Sequence, residues 1–237
     1  MSEQTDKEFF KELPPEFAKG KKLPQICYLC GIDLGSDFTV DHLPPQGIFP
    51  EKDEPFLLKV PACNKCHPTR QQSMDDEYFR NCMTEWVGKE NMPVEVVENK
   101  KRALEKRPFQ ELDMLVNAKP ILVQSKSGIV ERRFEVKVQP HRITSVLERV
   151  GRGFHFYRYG KRVPSVIPNV YVNESSIYST TRERDKLLYP AIPGFISVPE
   201  KLKVRHWNIS GGILNESNWV FIFYEKVEFF VKFELFT

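Results

Sequence analysis

The chain has 237 residues, of which 41% are hydrophobic, 28% charged and 12% aromatic. This composition is typical of a folded globular protein and excludes a disordered or low-complexity chain, while the length allows one large domain or two small ones. The longest stretch without a charged residue, 187–199, is far shorter than the ~20 residues of a membrane-spanning helix, so we expect no transmembrane segment.

Positive charge is concentrated in the C-terminal part of the chain. The net charge is +3, but residues 1–90 hold 11 Lys and Arg against 16 Asp and Glu, whereas residues 91–237 hold 24 against 16. Such an asymmetry is typical of proteins with a polyanionic partner and also of ordinary solvated surfaces. The polar N-terminus has no apolar segment of the kind found in secretory signals, so we expect a cytoplasmic protein with no membrane partner.

Three parts are predicted along the chain: an N-terminal arm over residues 1–20 with at most one short helix, a cysteine-rich unit over 21–90, and an α+β region over 91–237. All five cysteines fall in the second part. A short strand over residues 38–40 is expected to stop at Pro44 and Pro45, which cannot donate ladder hydrogen bonds. A second apolar run covers residues 57–60.

A helix is predicted over residues 74–87. Ser73 is expected to cap it, with Asp76 at the third helical position of a capping box. Tyr78, Cys82 and Trp86 recur at helical spacing and form an apolar stripe, so we interpret Cys82 as a packing residue rather than a ligand. The segment 88–93 is a predicted domain boundary.

The C-terminal region alternates helical and strand patterns. We predict helices over 94–106 and on to residue 116, a β-hairpin over 121–138, an amphipathic helix over 142–157 and two or three antiparallel strands over 204–236. The predicted fold class is therefore α+β, with antiparallel strands in the C-terminal domain.

Cations and aromatics are interleaved over residues 149–162, a pattern suited to nucleic-acid contact. Core packing is the favoured interpretation, because Phe154 and Tyr157 lie on the apolar stripe of the predicted helix. His155 and His206 have no neighbouring ligand pattern and are interpreted as packing or surface residues.

Two Cys-x-x-Cys pairs, Cys27/Cys30 and Cys63/Cys66, are the strongest motif in the sequence. In a reducing cytoplasm such pairs bind zinc far more often than they form disulfides, and a redox pair is the alternative. Four thiolates satisfy tetrahedral Zn²⁺, and Gly31 suits the tight turn after the first pair. We therefore predict a structural zinc site.

Asp41 and His42 lie between the two cysteine pairs, at the end of the predicted strand. A carboxylate can hold a hard divalent cation and an imidazole can take a proton from water, which are the two needs of one-metal phosphodiester hydrolysis. On a regular strand these side chains point to opposite faces, so joint action is expected to need a local distortion.

The motifs CYLCG, TVDH and VPACNKCH, followed by a helix, resemble the HNH endonuclease superfamily, a ββα-metal module on a treble-clef zinc scaffold, over roughly residues 24–90. The resemblance implies a metal-dependent endonuclease with DNA as the expected substrate and 5′-phosphate and 3′-hydroxyl products. It implies His42 as the general base, and Asp41 and His67 as the site of a catalytic Mg²⁺ or Mn²⁺.

Lys65 and Arg70 lie near the start of the predicted helix, where backbone amides and the helix dipole favour a phosphate. We predict that they bind substrate, with ordinary surface charge as the alternative. The acidic run over residues 75–77 is expected to cap the helix, or else to supply a metal ligand or orient His67.

The middle Asn of the family motif is absent from residues 56–62. Two alternatives to the DNA endonuclease therefore stay open: a catalytically inactive zinc-dependent module that binds nucleic acid or protein, and a nuclease directed at RNA. Target selection, homodimerisation and binding of a partner protein are the candidate roles of residues 91–237.

Overall fold

The computed structural model describes residues 10–11, 22–36, 38–67, 70–106, 118–124, 128, 130–135, 138–164, 169–172, 194–211 and 214–236. In chain order the strands are β1 (Phe10–Lys11), β2 (Thr39–Leu43), β3 (Leu58–Ala62), β4 (Lys119–Gln124), β5 (Val130–Glu135), β6 (Asn169–Val172), β7 (Gly194–Val198), β8 (Leu202–Gly211), β9 (Leu214–Phe223) and β10 (Val227–Phe236). The α-helices are α1 (Arg70–Val87), α2 (Val94–Lys106) and α3 (Pro140–Tyr159), and 3-10 turns cover Gln46–Ile48 and Glu51–Phe56.

The cysteine-rich part forms a hairpin followed by a helix. Strands β2 and β3 pair antiparallel, with Asp41 opposite Val60 and His42 opposite Lys59. The strand predicted before Pro44 is confirmed and ends at Leu43, and the apolar run before the second cysteine pair is strand β3. Helix α1 then follows, which gives this part the order strand, strand, helix.

The predicted start of α1 is wrong. The helix begins at Arg70, so Ser73 lies inside the first turns and is not its cap. The neighbouring acids are committed elsewhere: Asp75 Oδ1 accepts a hydrogen bond from Arg142 Nε at 2.8 Å, and Asp76 pairs with Arg149. The interpretation of this acidic run as a helix cap is therefore also wrong. Cys82 is 1% exposed, which confirms its packing role.

The C-terminal part is built on a six-stranded sheet with the order β1-β7-β8-β9-β10-β6. Strands β7 to β10 form an antiparallel meander. Three of them, β8, β9 and β10, cover the region where two or three antiparallel strands were predicted, so that prediction and the α+β class are confirmed. Strand β1 from the N-terminal arm pairs parallel with β7, where the sequence predicted at most a helix. Strands β4 and β5 form the predicted hairpin. The predicted helical extension over 107–116 lies outside the described residues.

Helix α3 connects the two parts. It is continuous through Gly151 and Gly153, and the Phe154 ring packs edge-on against Phe221 of β9 with centroids 5.1 Å apart. Phe154 and Tyr157 are buried, which confirms core packing for this segment, and His155 and His206 are buried as well. The buried hydrophobic residues form one cluster that runs from the first cysteine pair to β10.

Gly153 allows α3 to lie directly on the end of β2. A Cβ built at Gly153 would stand 1.7 Å from Leu43 Cδ1, and Leu43 is itself 1% exposed. We expect Gly153→Ala to lower the free energy of unfolding by about 1–3 kcal/mol, because overpacking of a buried contact outweighs the gain in helix propensity. Urea unfolding measures the free energy of unfolding of the variant and of wild type. Gly35→Ala is the control, since a Cβ at Gly35 meets nothing within 4 Å; equal stability of the two variants would contradict the account.

Among the helices in the described part of the chain, none has the length and apolar character needed to cross a membrane.

Candidate metal centre and active site

The four cysteines of the two Cys-x-x-Cys pairs converge on one point. Their Sγ atoms all lie within 4.8 Å of one another, and Cys30 Sγ is 3.8 Å from Cys63 Sγ. Thiolates bound tetrahedrally to one zinc at ~2.3 Å stand about 3.8 Å apart, so the group has the right dimensions for Zn²⁺. The geometry supports the predicted structural zinc site.

Local backbone hydrogen bonds shape each cysteine pair. Gly31 N donates to Cys27 O at 2.8 Å, and Gly31 has φ +78°, the left-handed conformation that glycine adopts without strain. In the second pair the N–H groups of Cys66 and His67 both donate to Cys63 O at 2.9 Å. Burial raises the pKa of the Cys63 thiol, but hydrogen bonds from the backbone and thiol of Cys66 and from the backbone of Lys65 outweigh it and lower the pKa to about 7.

The first cysteine pair also holds Asp41 in place. Tyr28, which follows Cys27, donates its hydroxyl hydrogen to Asp41 Oδ2 at 2.5 Å, and Tyr28 N donates to Pro61 O of β3 at 3.1 Å. Burial and the neighbouring Asp41 carboxylate raise the pKa of Tyr28 well above its usual value, so the phenol keeps its proton. The zinc scaffold and the Asp41 carboxylate are thus directly connected.

Asp41 and His67 are brought together, as the family resemblance implies. His67 Nε2 lies 3.7 Å from Asp41 Oδ1, and His67 directly follows the last cysteine of the zinc group. Burial lowers the pKa of His67, with Arg149 adding to the effect and Asp41 opposing it. The imidazole is therefore neutral at physiological pH, which is the form that binds a metal ion.

His42 points to a different partner. Its Nε2 lies 3.4 Å from Glu54 Oε1, within the 3-10 turn Glu51–Phe56, although the two atoms do not have hydrogen-bond geometry. Lys59 also pairs with Glu54 at 3.2 Å, and its hydrogen bond and charge, followed by His42, lower the pKa of Glu54. Glu54 is therefore ionised beside the imidazole.

An arginine from the C-terminal part reaches this site. Arg149 of α3 pairs with Asp76 of α1, and its Nη1 lies 4.0 Å from Asp41 Oδ2. Burial raises the pKa of Asp76 to about 6 against the opposing effect of Arg149, so the carboxylate is still ionised at neutral pH. Asp76 therefore holds Arg149, not His67, and Arg149 is turned inward.

The three predicted catalytic residues share one cleft of about 670 Å³, whose described lining does not include the predicted substrate-binding residue Lys65. Asp41, His42, His67 and Asp76 all line it, so the opposite orientations of Asp41 and His42 on a regular strand do not separate them. The expected local distortion of β2 is absent, because β2 pairs with β3 in a regular register over Thr39–Leu43 while both side chains line the cleft.

The remaining predicted residues are placed as follows. Lys65 is exposed between the second pair of cysteines, and Arg70 is the first residue of α1, with its side chain outside the described part of the chain.

In the part of the chain that the structure describes, the four cysteines are the one group of three or more His, Cys, Asp or Glu side chains close enough to share a metal ion. Asp41 and His67 therefore offer two ligands, with no third His, Cys, Asp or Glu ligand close enough among the described residues.

Sequence reasoning missed three residues of this site: Tyr28, Glu54 and Arg149. Tyr28 carries a local signal, because it stands inside the first Cys-x-x-Cys pair and follows a predicted zinc ligand. Glu54 and Arg149 carry none, because each reaches its partner through a turn or helix whose position depends on the complete fold.

Arg149 is expected to be important for stability. Its side chain is 8% exposed, so Arg149→Met leaves the Asp76 and Asp41 carboxylates without their cation. We expect a loss of about 3 kcal/mol in the free energy of unfolding, measured with urea. The double variant Arg149→Met/Asp76→Asn removes the pair together and is expected to recover part of the loss; a double variant less stable than Arg149→Met would contradict this account.

Comparisons of the chain with protein-family models, with curated proteins and with solved structures found no match.

Proposed function

We propose that this chain is a metal-dependent endonuclease of the HNH superfamily that hydrolyses phosphodiester bonds in DNA. The observation that carries the proposal is the convergence of His42, Asp41 and His67 on one cleft beside a four-cysteine group. The hairpin β2–β3 followed by α1 is also the element order of a ββα-metal module.

His42 is the proposed general base. A carboxylate beside one ring nitrogen favours the tautomer with its proton on that nitrogen, so Glu54 favours N–H at Nε2 and a free lone pair at Nδ1. Nδ1 then accepts the proton of the attacking water. Glu54 thus acts on the proposed base through its charge, in a chain that lacks the middle Asn of the family motif.

Asp41 and His67 are the proposed ligands of the catalytic cation. His67 Nε2 and Asp41 Oδ1 lie 3.7 Å apart, whereas adjacent ligands of an octahedral ion at ~2.1 Å stand about 3.0 Å apart, so a small side-chain movement would bring both atoms to one divalent cation. A Mg²⁺ or Mn²⁺ ion bound there would supply Lewis-acid stabilisation of the charge that develops on the phosphate oxygens. Tyr28 donates a hydrogen bond to Asp41, and Arg149 Nη1 lies 4.0 Å from Asp41 Oδ2, so both orient this carboxylate.

Scission of supercoiled plasmid with added Mg²⁺ or Mn²⁺ tests the metal requirement. We expect nicking that depends on the divalent cation, and we expect His67→Ala to raise the Mg²⁺ concentration for half-maximal nicking about tenfold or more. The half-maximal concentration of wild type and of His67→Ala is the measured quantity. Nicking by His67→Ala at the wild-type Mg²⁺ concentration would remove His67 from the metal site.

A catalytically inactive zinc-dependent binding module is the second candidate. One observation favours it: Arg149 stands 4.0 Å from Asp41 and already supplies positive charge to the proposed metal ligand. This candidate predicts that plasmid is bound but never cut at any Mg²⁺ or Mn²⁺ concentration.

A nuclease directed at RNA predicts faster scission of an RNA substrate offered in competition with DNA.

A further inference from the structure

Helix α2 forms the far side of the cleft and has a fixed orientation. Val96 is fully buried, and Lys100 pairs with Glu85 of α1. At the start of the helix, Glu95 Oε1 accepts a hydrogen bond from Glu51 N at 2.9 Å. These contacts hold one face of α2 against α1 and the 3-10 turn, and so determine which face meets the cleft.

The cleft-facing side of α2 is basic. Asn99, Arg102, Ala103 and Lys106 all line the cleft that contains Asp41 and His42, and their spacing places them on one face of the helix. Arg102 and Lys106 are exposed, and Arg102 Nη2 donates to Asn99 Oδ1 at 2.6 Å. Two positive charges therefore point into the cleft where a ligand can reach them.

Arg80 of α1 also lines this cleft. Its side chain is 14% exposed, and its Nε and Nη2 atoms are buried without a hydrogen-bond partner among the described residues. Arg80 forms an ion pair with Glu77, whose Oε1 lies 3.6 Å from Nη2, but this distance is too long for a hydrogen bond. A guanidinium removed from water with unused N–H groups is unfavourable unless an anion completes its hydrogen bonding.

We propose that Arg80, Arg102 and Lys106 bind a backbone phosphate that flanks the scissile phosphate of a bound nucleic acid. This inference rests on the proposed function, because the scissile phosphate is placed at Asp41 and His42 in the same cleft. A planar guanidinium recognises phosphate oxygens in pairs, and a lysine adds a flexible point charge. Helix α2 lies outside the residues that resemble the HNH module, so this contact is an addition of the present chain.

The cleft also contains acidic groups, and most of them lie away from the proposed phosphate site. Asp41 and Asp76 lie near Arg149, and Glu77 lies near Arg80, whereas the α2 face contributes no carboxylate to the cleft lining. A phosphodiester on the α2 side thus meets the Arg102 and Lys106 cations and the Asn99 amide. Asp41 and Asp76 lie on the side where the divalent cation is expected, and Glu77, paired with Arg80, is the one acid of the described cleft lining beside the proposed phosphate site.

Binding of a short labelled DNA duplex in magnesium-free buffer tests the proposal without any need for catalysis. We compare wild type, Arg102→Gln/Lys106→Gln, and Lys101→Gln by fluorescence anisotropy over a series of salt concentrations. Lys101 is the matched control, because it lies on the same helix, is exposed and pairs with Glu98 away from the cleft. A duplex RNA of the same sequence forms a second arm.

The double variant is expected to bind DNA about tenfold more weakly and to reduce the slope of log K against log salt by about 1, because both cations are proposed to contact one phosphate. Lys101→Gln is expected to bind as wild type does. Equal affinities of the double variant and Lys101→Gln, or a wild type that binds neither DNA nor RNA, would overturn the proposal. A larger decrease of affinity in the RNA arm identifies RNA as the source of the phosphate.

Addition of Mg²⁺ separates this inference from the proposed function. If wild type binds DNA through the α2 face but does not cut it, the endonuclease proposal fails and the phosphate site stands. If wild type cuts DNA and the double variant has the same KM and salt slope, the phosphate site fails and the endonuclease proposal stands.

Discussion

Cys66→Ser is expected to abolish zinc binding and to destabilise the cysteine-rich part of the chain severely. One zinc per chain is expected in wild type and little or none in the variant. Structural zinc contributes roughly 10–16 kcal/mol of apparent binding free energy in small zinc modules, and that energy is coupled directly to folding. Elemental analysis after purification without chelators gives the zinc content, and thermal unfolding gives the stability.

Cys82→Ser is the matched control for this substitution. Cys82 is 1% exposed, and it lies on α1 and does not belong to the four-cysteine group. We expect Cys82→Ser to lose only the stability of one packed side chain and to keep its zinc. A Cys66→Ser protein with a full complement of zinc and wild-type unfolding would contradict the zinc assignment.

Loss of zinc is also expected to disturb the proposed catalytic residues. Tyr28 connects the first cysteine pair to Asp41 through a 2.5 Å hydrogen bond, and His67 follows Cys66 directly in the chain. Both proposed cation ligands therefore depend on the zinc group for their positions. We expect no metal-dependent scission by Cys66→Ser even where the protein remains soluble.

The parts of the site that sequence could predict are those encoded by spacing. Two Cys-x-x-Cys pairs specify a zinc site because ligand identity and turn geometry are both local, and the hairpin β2–β3 is indicated by apolar runs and by Pro44. The same holds for Cys82, whose helical spacing places it in the core. Local patterns of this kind remain valid in any surrounding fold.

The missed features depend on contacts between distant segments. Ser73 and Asp76 resemble a capping box, but Arg149 of α3 binds Asp76 from the other half of the chain, and α1 begins at Arg70 instead. The two glycines in α3 weaken the helix prediction, whereas Gly153 is needed for close contact with Leu43. Strand β1 forms because β7 offers it a parallel edge.

His42→Ala is expected to remove the proposed general base and to leave the fold unchanged. The side chain is 25% exposed, and Glu54, which pairs with it, still pairs with Lys59 in the variant. General base catalysis contributes about 10²–10⁴-fold to the rate of a hydrolytic reaction, so we expect a loss of at least a hundredfold. Zinc content and unfolding temperature are expected to match wild type.

His141→Ala is the control for His42→Ala. His141 is exposed at the start of α3 and does not line the cleft. Parallel purification of the two variants therefore separates loss of the base from contamination by a host nuclease, because a contaminant is equally present in both.

The rate of Mg²⁺-dependent nicking of supercoiled plasmid by wild type, His42→Ala and His141→Ala tests the proposed endonuclease most directly. The account predicts nicking by wild type and His141→Ala that stops when Mg²⁺ is withheld, and at least a hundredfold slower nicking by His42→Ala. Equal nicking by all three proteins, or plasmid that all three bind and none cuts, would contradict it.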